Sequence, residues 1–344
     1  MRPTQAPPQL LVISLGDPAG IGPEIVLRAL ERWRREEPAG ARLAVAAPAD
    51  LLSALARRLD LPLELAAVDD PADPRPLALD WQPAAGGLVE LAREVEGVGL
   101  EALPPRASRT GGAAAWLSLA RALELVLEDP ARRALVTAPV CKESLSLAGF
   151  PWPGHTECLG ARCGVADPLM WLEAPAISVG LVSNHDALRD LPAALTPERV
   201  ARKARLACAH LARRHPGEWL QVLAINPHAG DGGVLGDEER RWLGPLVDGL
   251  RREGLPLDGP LPADGALARG HGRFLAMYHD QGLPAFKLAA GPAGVNTTLG
   301  LPLARTSPDH GTAFDIAGRG VADEGSLLAA LREASRQLGG GERR

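Results

Sequence analysis

The sequence predicts an α/β protein with mostly parallel sheets and helices on both sheet faces. Two observations predict this fold class. Short apolar runs alternate along the chain with helical stretches, and a cluster of Gly, Pro and polar residues follows most of the runs. Parallel strands that are buried on both faces have this continuous apolar character, and the intervening helices connect one strand to the next.

The strands and helices can be assigned in chain order. Leu10 to Leu15 is the first predicted strand, and Pro23 opens the next helix, because proline suits the first helical turn. Two longer segments have helical periodicity, Thr110 to Leu127 and Pro197 to Arg214. Four more apolar runs are predicted strands: ALVTAP at 134–139, ISVGLVS at 177–183, LQVLAIN at 220–226 and RFLAMYH at 273–279.

Length and composition narrow the classes of function. A chain of 344 residues, 46% hydrophobic, is long enough for two domains. The net charge of −5 disfavours a nucleic-acid partner. No apolar run is long enough for a signal sequence or a membrane span. The four cysteines lack paired CxxC spacing, so we expect reduced thiols in a cytoplasmic protein.

Polar clusters follow five of the predicted strands, with the sequences GDPAG, TAPVCK, SNHD, NPHAGDGG and YHDQG. Ligands of open α/β sheets bind beyond the carboxyl ends of the strands. Three of these clusters carry a histidine: His185, His228 and His279. One such histidine is usually structural, but three at equivalent strand ends predict a site for Zn, Co, Ni or Fe.

The other histidines and the glycine motifs carry weaker signals. His210, His215 and His271 are expected to be solvated. The motif GDPAGIGPE at 16–24 lacks the GxGxxG spacing of a dinucleotide-binding loop, and by itself it is equally a structural turn. Near the other end of the chain, SPDHGTAFDIAGRGVAD at 307–323 is a second glycine-rich loop.

These two motifs resemble the GD..IGPE and HG.A.DIAG.G loops of the isocitrate and isopropylmalate dehydrogenases. A longer resemblance, from about residue 10 to residue 335, is to the 4-hydroxythreonine-4-phosphate dehydrogenase family of pyridoxal phosphate biosynthesis. The segments that carry it are ISLGDPAGIGPE, TAPVCKES, PGHTE, NPHAGDGG with LGDEE, GPLPAD, AMYHDQGLPAFK and GVNTTLGLPLARTSPDHGTAFDIAGRG.

The resemblance implies two α/β/α domains with an active-site cleft between them, as in the isocitrate and isopropylmalate dehydrogenases. Residues 1–130 plus 296–344 would form the domain that carries both glycine loops. Residues 131–295 would form the domain with the three metal histidines and the dimer interface. The family site is completed across a homodimer.

The resemblance also implies a role for individual residues. The metal ligands fall on the same three histidines that the strand ends selected. The substrate contacts fall on His155, Thr156, Asp264, Lys287, Asn296 and Arg305, of which Asp264 and Lys287 are the catalytic candidates. The cofactor contacts fall on Asp309, His310, Gly311 and Thr312.

The implied reaction oxidises the C3 hydroxyl of 4-(phosphooxy)-L-threonine with NAD or NADP. Decarboxylation then leaves 3-amino-2-oxopropyl phosphate. The implied cofactors are the dinucleotide and one divalent metal ion, with zinc the first choice and magnesium or cobalt as alternatives.

Departures from the family pattern keep other substrates open. Cys141 stands where relatives more often have a polar residue, and Gly265 stands where Thr is common. A related acid such as D-erythronate or D-threonate 4-phosphate is therefore the second choice. A metallohydrolase, a non-catalytic metal-binding protein and a phosphate acyltransferase are rivals from other classes, and the hydrolase leaves both glycine loops unexplained.

Overall fold

The computed structural model describes residues 9–37, 41–65, 75–80 and 88–339. The chain divides into two compact units. The first consists of Met1–Cys158 and Pro302–Arg344, and the second is the intervening segment Leu159–Leu301.

The strands are short, mostly of five residues. In chain order they are β1 (Leu10–Ser14), β2 (Arg42–Ala46), β3 (Leu77–Ala78), β4 (Arg133–Thr137), β5 (Leu169–Glu173), β6 (Ile177–Leu181), β7 (Leu220–Leu223), β8 (Leu257–Leu261), β9 (Gly272–Ala276), β10 (Val295–Leu299) and β11 (Ala304–Pro308).

The α-helices vary more in length. They are α1 (Gly22–Glu36), α2 (Ala49–Arg58), α3 (Val89–Val95), α4 (Arg109–Glu128), α5 (Lys142–Leu147), α6 (His155–Arg162), α7 (Leu191–Ala194), α8 (Pro197–Arg214), α9 (Gly244–Arg252), α10 (Ala263–Leu267), α11 (His279–Ala290) and α12 (Gly325–Gln337).

The sheet of the first unit is parallel, with strand order β3-β2-β1-β4-β11. Leu11, Val12 and Ile13 of the central strand β1 are fully buried, as expected for a strand covered on both faces. The long helix α4 begins where the Ser108 hydroxyl accepts a hydrogen bond from the Gly111 amide at 3.0 Å. This is a conventional side-chain N-cap.

The sheet of the second unit is mixed, with strand order β10-β5-β6-β9-β7-β8. Strand β5 runs antiparallel to both β10 and β6, and the other pairs are parallel. Successive side chains of a strand point to opposite faces. Accordingly Leu169 and Trp171 pack in one hydrophobic cluster with α8 and α9, while Met170 and Leu172 pack in another with α11.

The predicted α/β fold class is confirmed, but the boundaries between the units differ from the prediction. The sequence placed them after residue 130 and before residue 296, whereas the structure divides the chain after Cys158 and after Leu301. Strand pairing explains the difference. Strand β4 pairs with β1, and α5 packs on α4, so both belong to the first unit, whereas β10 pairs with β5 of the second.

A buried ionic cluster in the second unit corrects the expectation for two histidines. The carboxylate of Glu173 on β5 lies 2.9 Å from His210 Nε2 and 3.0 Å from His215 Nε2, and it accepts a hydrogen bond from Trp171 Nε1 at 3.1 Å. His210 is only 2% exposed, and His215 is half-buried. The expectation of solvated side chains was therefore wrong for both residues, because α8 carries His210, and His215 directly follows this helix, so that both reach the carboxylate.

The cluster changes the protonation of Glu173. Burial by itself raises the pKa of this carboxyl, but the hydrogen bonds from His210 and His215 outweigh burial and hold the pKa well below its ordinary value of 4.5. Glu173 is therefore ionised in the folded protein.

In the described part of the chain, no helix is both long and apolar enough to cross a lipid bilayer.

We expect Glu173→Gln to lower the free energy of unfolding by about 3 kcal/mol at pH 7, because the variant lacks the carboxylate that accepts hydrogen bonds from His210, His215 and Trp171 and leaves buried donors unsatisfied. In the wild-type protein the unfolded chain takes up the proton more readily than the folded chain. The contribution of Glu173 is therefore complete above about pH 4.5 and declines as the pH falls below it. Urea unfolding at pH 7 and pH 4 measures both effects, and an equal loss in the variant at the two pH values would contradict the linkage.

Candidate active site

The structure brings His185 and His279 together in the second unit. His185 follows β6 and His279 follows β9, and these two strands are parallel neighbours, with Leu181 paired to Ala276. Residues just beyond paired parallel strands lie at the same sheet edge. The two imidazole centroids are 5.9 Å apart, with an angle of 35° between the ring planes.

Neighbouring side chains hold His279 and the first turn of α11. His279 Nδ1 lies 2.5 Å from Asp280 Oδ1, an arrangement that orients the ring and leaves Nε2 for a ligand. Gln281 accepts a hydrogen bond from the Met277 amide at 2.7 Å and donates one to the Ala224 carbonyl at 2.7 Å. These bonds tie the first turn of α11 to the ends of β9 and β7.

His228 lies in a loop with unusual backbone geometry. The short 3₁₀ segment Pro227–Gly233 contains three non-glycine residues with positive φ: His228 (52°), Ala229 (55°) and Asp231 (43°). Such conformations cost energy and concentrate at functional sites. The buried carboxylate of Glu239 anchors the start of the loop, because it accepts hydrogen bonds from the Ile225 and Asn226 amides at 2.8 Å each.

The donor set suits a divalent metal only in part. Across the described ranges, no group of three or more His, Cys, Asp or Glu side chains is close enough to hold a metal ion. One chain therefore brings two of the three predicted imidazoles together and leaves His228 outside such a cluster. The pair itself fits the metal, because imidazole nitrogen is a common ligand and a carboxylate orients the second ring.

The remaining candidates of the second unit lie in three different settings. Asp264 is exposed on α10 and lines a surface groove of about 570 Å³ between α10 and α11. Leu288, 89% exposed, lines the same groove. Lys287 is exposed on α11. Asn296 is half-buried on β10, and its buried Oδ1 has no hydrogen-bond partner among the described residues.

The first unit contains a buried cation beside a neutral histidine. Arg305 on β11 is 3% exposed, and its Nη2 donates a hydrogen bond to Thr137 Oγ1 at 2.7 Å. Burial lowers the pKa of Arg305 to about 10, so the guanidinium stays charged at neutral pH. Burial and the charge of Arg305 also lower the pKa of His155 to about 3, so this imidazole is neutral.

This arrangement suits an anion. His155 Nε2 is buried and makes no hydrogen bond to any residue that the structure describes, and Thr156 beside it is also buried. Lys142, at the start of α5, adds a further positive charge that opposes protonation of His155. The carboxylate of Glu157 also acts on Arg305 and His155, because its negative charge raises the pKa of both. A buried guanidinium with a hydroxyl partner can bind phosphate or carboxylate through charge-assisted hydrogen bonds.

A close contact between two helices positions the segment from Thr137 to Lys142. Gly112 of α4 lies against the backbone of α5, and a Cβ at this position would come 1.8 Å from the Ser144 carbonyl oxygen. Only glycine allows this approach. The packing of α5 on α4 thereby determines where Lys142 lies relative to the end of β4.

The predicted cofactor residues directly follow β11. His310 Nδ1 lies 3.1 Å from the Gly311 carbonyl, and the Thr312 carbonyl accepts a hydrogen bond from the Ile21 amide at 2.9 Å. The two glycine motifs therefore contact each other inside the first unit.

The sequence analysis had not assigned roles to Thr137 or Gln281, although the segments TAPVCK and YHDQG contain them.

The family model for pyridoxal phosphate biosynthetic protein PdxA matches residues 41–334 of the chain. The chain belongs to the PdxA family. A PdxA-family relative, 4-hydroxythreonine-4-phosphate dehydrogenase from Methylorubrum populi, is 42% identical over 343 residues, covering 95% of this chain and 93% of that protein. The resemblance that the sequence motifs indicated is confirmed.

Solved structures give the same result for the fold. A crystal structure of 4-hydroxythreonine-4-phosphate dehydrogenase from Klebsiella pneumoniae has a TM-score of 0.78 and 33% identity, covering 97% of this PdxA-family chain and 99% of the other. A β-decarboxylating dehydrogenase from Thermococcus kodakarensis has a TM-score of 0.53 and 16% identity, covering 96% and 84% of the two chains. The fold is therefore shared beyond the PdxA family.

We expect Gly112→Ala to lower the free energy of unfolding by about 3 kcal/mol, because a backbone carbonyl cannot move aside cheaply. The matched control is Gly249→Ala in α9, where no atom beyond the neighbouring residues and backbone of the same helix lies within 4 Å of the added Cβ. That change removes helical glycine and should stabilise the protein by about 0.5–1 kcal/mol. Urea unfolding of both variants makes the comparison, and equal effects would show that the α4–α5 contact is looser than described.

Proposed function

We propose that this chain is a 4-hydroxythreonine-4-phosphate dehydrogenase that uses NAD or NADP and one divalent metal ion, zinc before magnesium or cobalt. One observation carries the proposal. The chain matches relatives of that name over nearly their whole length. In addition, two of the histidines that the resemblance implies as metal ligands, His185 and His279, lie side by side. The proposed product is 3-amino-2-oxopropyl phosphate, formed after oxidation at C3 and loss of carbon dioxide.

His185, His228 and His279 are the proposed metal ligands, and His185 and His279 lie close together within one subunit. Asp280 keeps the proton on His279 Nδ1, so that the Nε2 lone pair is available. When bound, the metal supplies Lewis acidity toward the substrate hydroxyl, and the dinucleotide supplies the two-electron acceptor. We further propose a cytoplasmic homodimer whose second copy completes the site, as the family resemblance implies.

Arg305 is the proposed anchor for a charged group of the substrate, phosphate or carboxylate. Thr137 holds one arm of the guanidinium, and His155 adds a neutral hydrogen-bonding nitrogen at Nε2. Because His155 stays uncharged, it can orient the substrate through a hydrogen bond without adding a second buried cation. Thr156, Lys287 and Asn296 are the other proposed substrate contacts.

Asp264 is the proposed proton-handling residue. It is exposed, and its carboxylate can accept a hydrogen bond from the substrate amine or the proton that the substrate hydroxyl loses. Lys287 supplies a positive charge that favours the anionic substrate and the enolate formed when carbon dioxide leaves. Asp309, His310, Gly311 and Thr312 are the proposed dinucleotide contacts.

The second choice is the dehydrogenation of a related 4-phosphorylated acid, D-erythronate or D-threonate 4-phosphate. Gly265 on α10 supports this second choice. Beyond its own neighbours and helix backbone, no atom lies within 4 Å of the position that a Cβ would take there. A residue with a side chain there could contact the substrate, whereas glycine leaves this space open.

The direct test joins anaerobic metal analysis to an NADH absorbance assay with three substrates: 4-(phosphooxy)-L-threonine, D-erythronate 4-phosphate and D-threonate 4-phosphate. We expect the first substrate to have the highest kcat/KM, and we expect chelation to remove activity. Turnover of a phosphate ester or amide without any dinucleotide would instead favour the metallohydrolase.

We expect His185→Ala, His228→Ala and His279→Ala each to lose metal on dialysis and to reduce kcat by at least about 100-fold, because an orienting partner cannot replace a missing ligand. The matched control is His271→Ala, since His271 is exposed at the start of β9. Elemental analysis and the NADH assay give the two measurements. Full activity in a metal-free His279→Ala protein would rule out the proposed site.

We expect Arg305→Ala to lower kcat/KM by about 10- to 150-fold, mainly through KM, because charge-assisted hydrogen bonds contribute about 1.5–3 kcal/mol each. Arg305→Lys should restore only part of this, since an ammonium cannot form a forked contact. Thr137→Val removes the hydroxyl that orients Arg305 and should raise KM about 10-fold, whereas Thr137→Ser should stay near wild type. An unchanged KM in Arg305→Ala, with weaker NAD binding, would move Arg305 to the cofactor site.

A further inference from the structure

The motif GDPAGIGPE contacts the loop that carries the proposed dinucleotide residues. We call residues 309–322 the cofactor loop. At its beginning, the Ile21 amide donates a hydrogen bond to the Thr312 carbonyl at 2.9 Å. Gly20 lies so close that a Cβ there would be 2.9 Å from the same carbonyl oxygen. The glycine thus permits a direct backbone contact between the motif and the loop.

The end of the cofactor loop is held by the same helix, α1. Glu24 is 2% exposed, and its carboxylate accepts hydrogen bonds from the Ala322 amide at 2.9 Å and the Gly320 amide at 3.3 Å. Arg28, one turn later, donates to the Gly320 carbonyl at 2.6 Å and lies 3.5 Å from Glu24. Hydrogen bonds from Ile21 and from the first two turns of α1 therefore hold the cofactor loop near both of its ends.

These contacts argue against the usual role of a glycine-rich turn before a helix. Such a turn often binds phosphate through free amides at the helix N-terminus. Here the Ile21 amide is already bonded to Thr312, and the Glu24 carboxylate lies in the first turn. A carboxylate at this place repels a phosphate. The cavity lined by Gly20, Glu24 and Gly318 has a volume of only about 30 Å³.

We infer that GDPAGIGPE is a clamp for the cofactor loop and that Glu24 is a positioning residue for dinucleotide binding. This inference rests on the proposed function, since it takes the cofactor loop as the NAD site. The physical reason is preorganisation. A loop that is already ordered loses less conformational entropy when it binds a ligand, so the ligand binds more tightly. Glu24 acts through the loop backbone and does not touch the dinucleotide.

The inference is tested with Glu24→Gln and Glu24→Ala in the full-length protein. We expect Glu24→Gln to raise the Kd for NADH about 10-fold, measured by NADH fluorescence, and Glu24→Ala to raise it further. Amide hydrogen exchange at Gly320 and Ala322 should become faster. The KM for the phosphorylated substrate and the kcat at saturating NAD should stay within about twofold of wild type.

Glu333→Gln is the matched control. Glu333 is a buried glutamate of the same unit, on α12, and it pairs with Arg336 at 3.1 Å. A purely structural role for Glu24 would lower Tm in both variants and leave the NADH Kd unchanged. If Glu24→Ala does not fold, the isosteric Glu24→Gln still decides the matter.

Two results would overturn the inference, and they differ in what else they affect. An unchanged NADH Kd in Glu24→Gln, with tight binding by the wild-type protein, refutes the clamp and leaves the proposed dehydrogenase intact. If the wild-type protein binds neither NADH nor NADPH, the proposed cofactor fails and the role of Glu24 in binding it fails as well.

Discussion

The candidate site depends on parallel strand pairing, which aligns the carboxyl ends of neighbouring strands. In the second unit, the pairing of β6 with β9 places His185 beside His279 although they are far apart in sequence. In the first unit, the pairing of β4 with β11 places Thr137 within hydrogen-bond distance of Arg305. Because residues beyond paired strands share one edge, the sheet assembles polar side chains from distant segments.

Two buried ionic groups show how the surroundings set the chemistry of a charge. The Glu173 carboxylate accepts hydrogen bonds from several donors inside the protein. These interactions outweigh the effect of burial on its pKa and keep the carboxylate ionised. Around Arg305 the balance differs. Burial lowers the pKa of the guanidinium and of neighbouring His155, which keeps one cation and one neutral imidazole. The first arrangement keeps a buried carboxylate ionised, whereas the second keeps a buried guanidinium charged beside a neutral imidazole.

Much of the fold could be predicted because its signals are local. The helix predicted from Pro197 to Arg214 has those bounds in the structure, and the five predicted strands all exist, although each ends earlier than predicted. The strands β2, β3, β5, β8, β10 and β11 were not predicted. LMWLE of β5 and VNTTL of β10 have no periodicity that separates a strand from a loop or helix, and only their pairing with each other and of β5 with β6 shows them to be strands. The solvated state expected for His210 was wrong for a similar reason, since its buried partner Glu173 lies on another element.

By itself, the sequence determined the α/β class, the family and the residues from which a site could be built. These features depend on local apolar patterns and on motifs that keep their order along the chain. Only the tertiary structure decided which of those residues meet: His185 lies beside His279, and Glu24 contacts the distant loop at 309–322. Contacts between distant segments follow no fixed sequence interval, because they depend on the register and packing of whole elements.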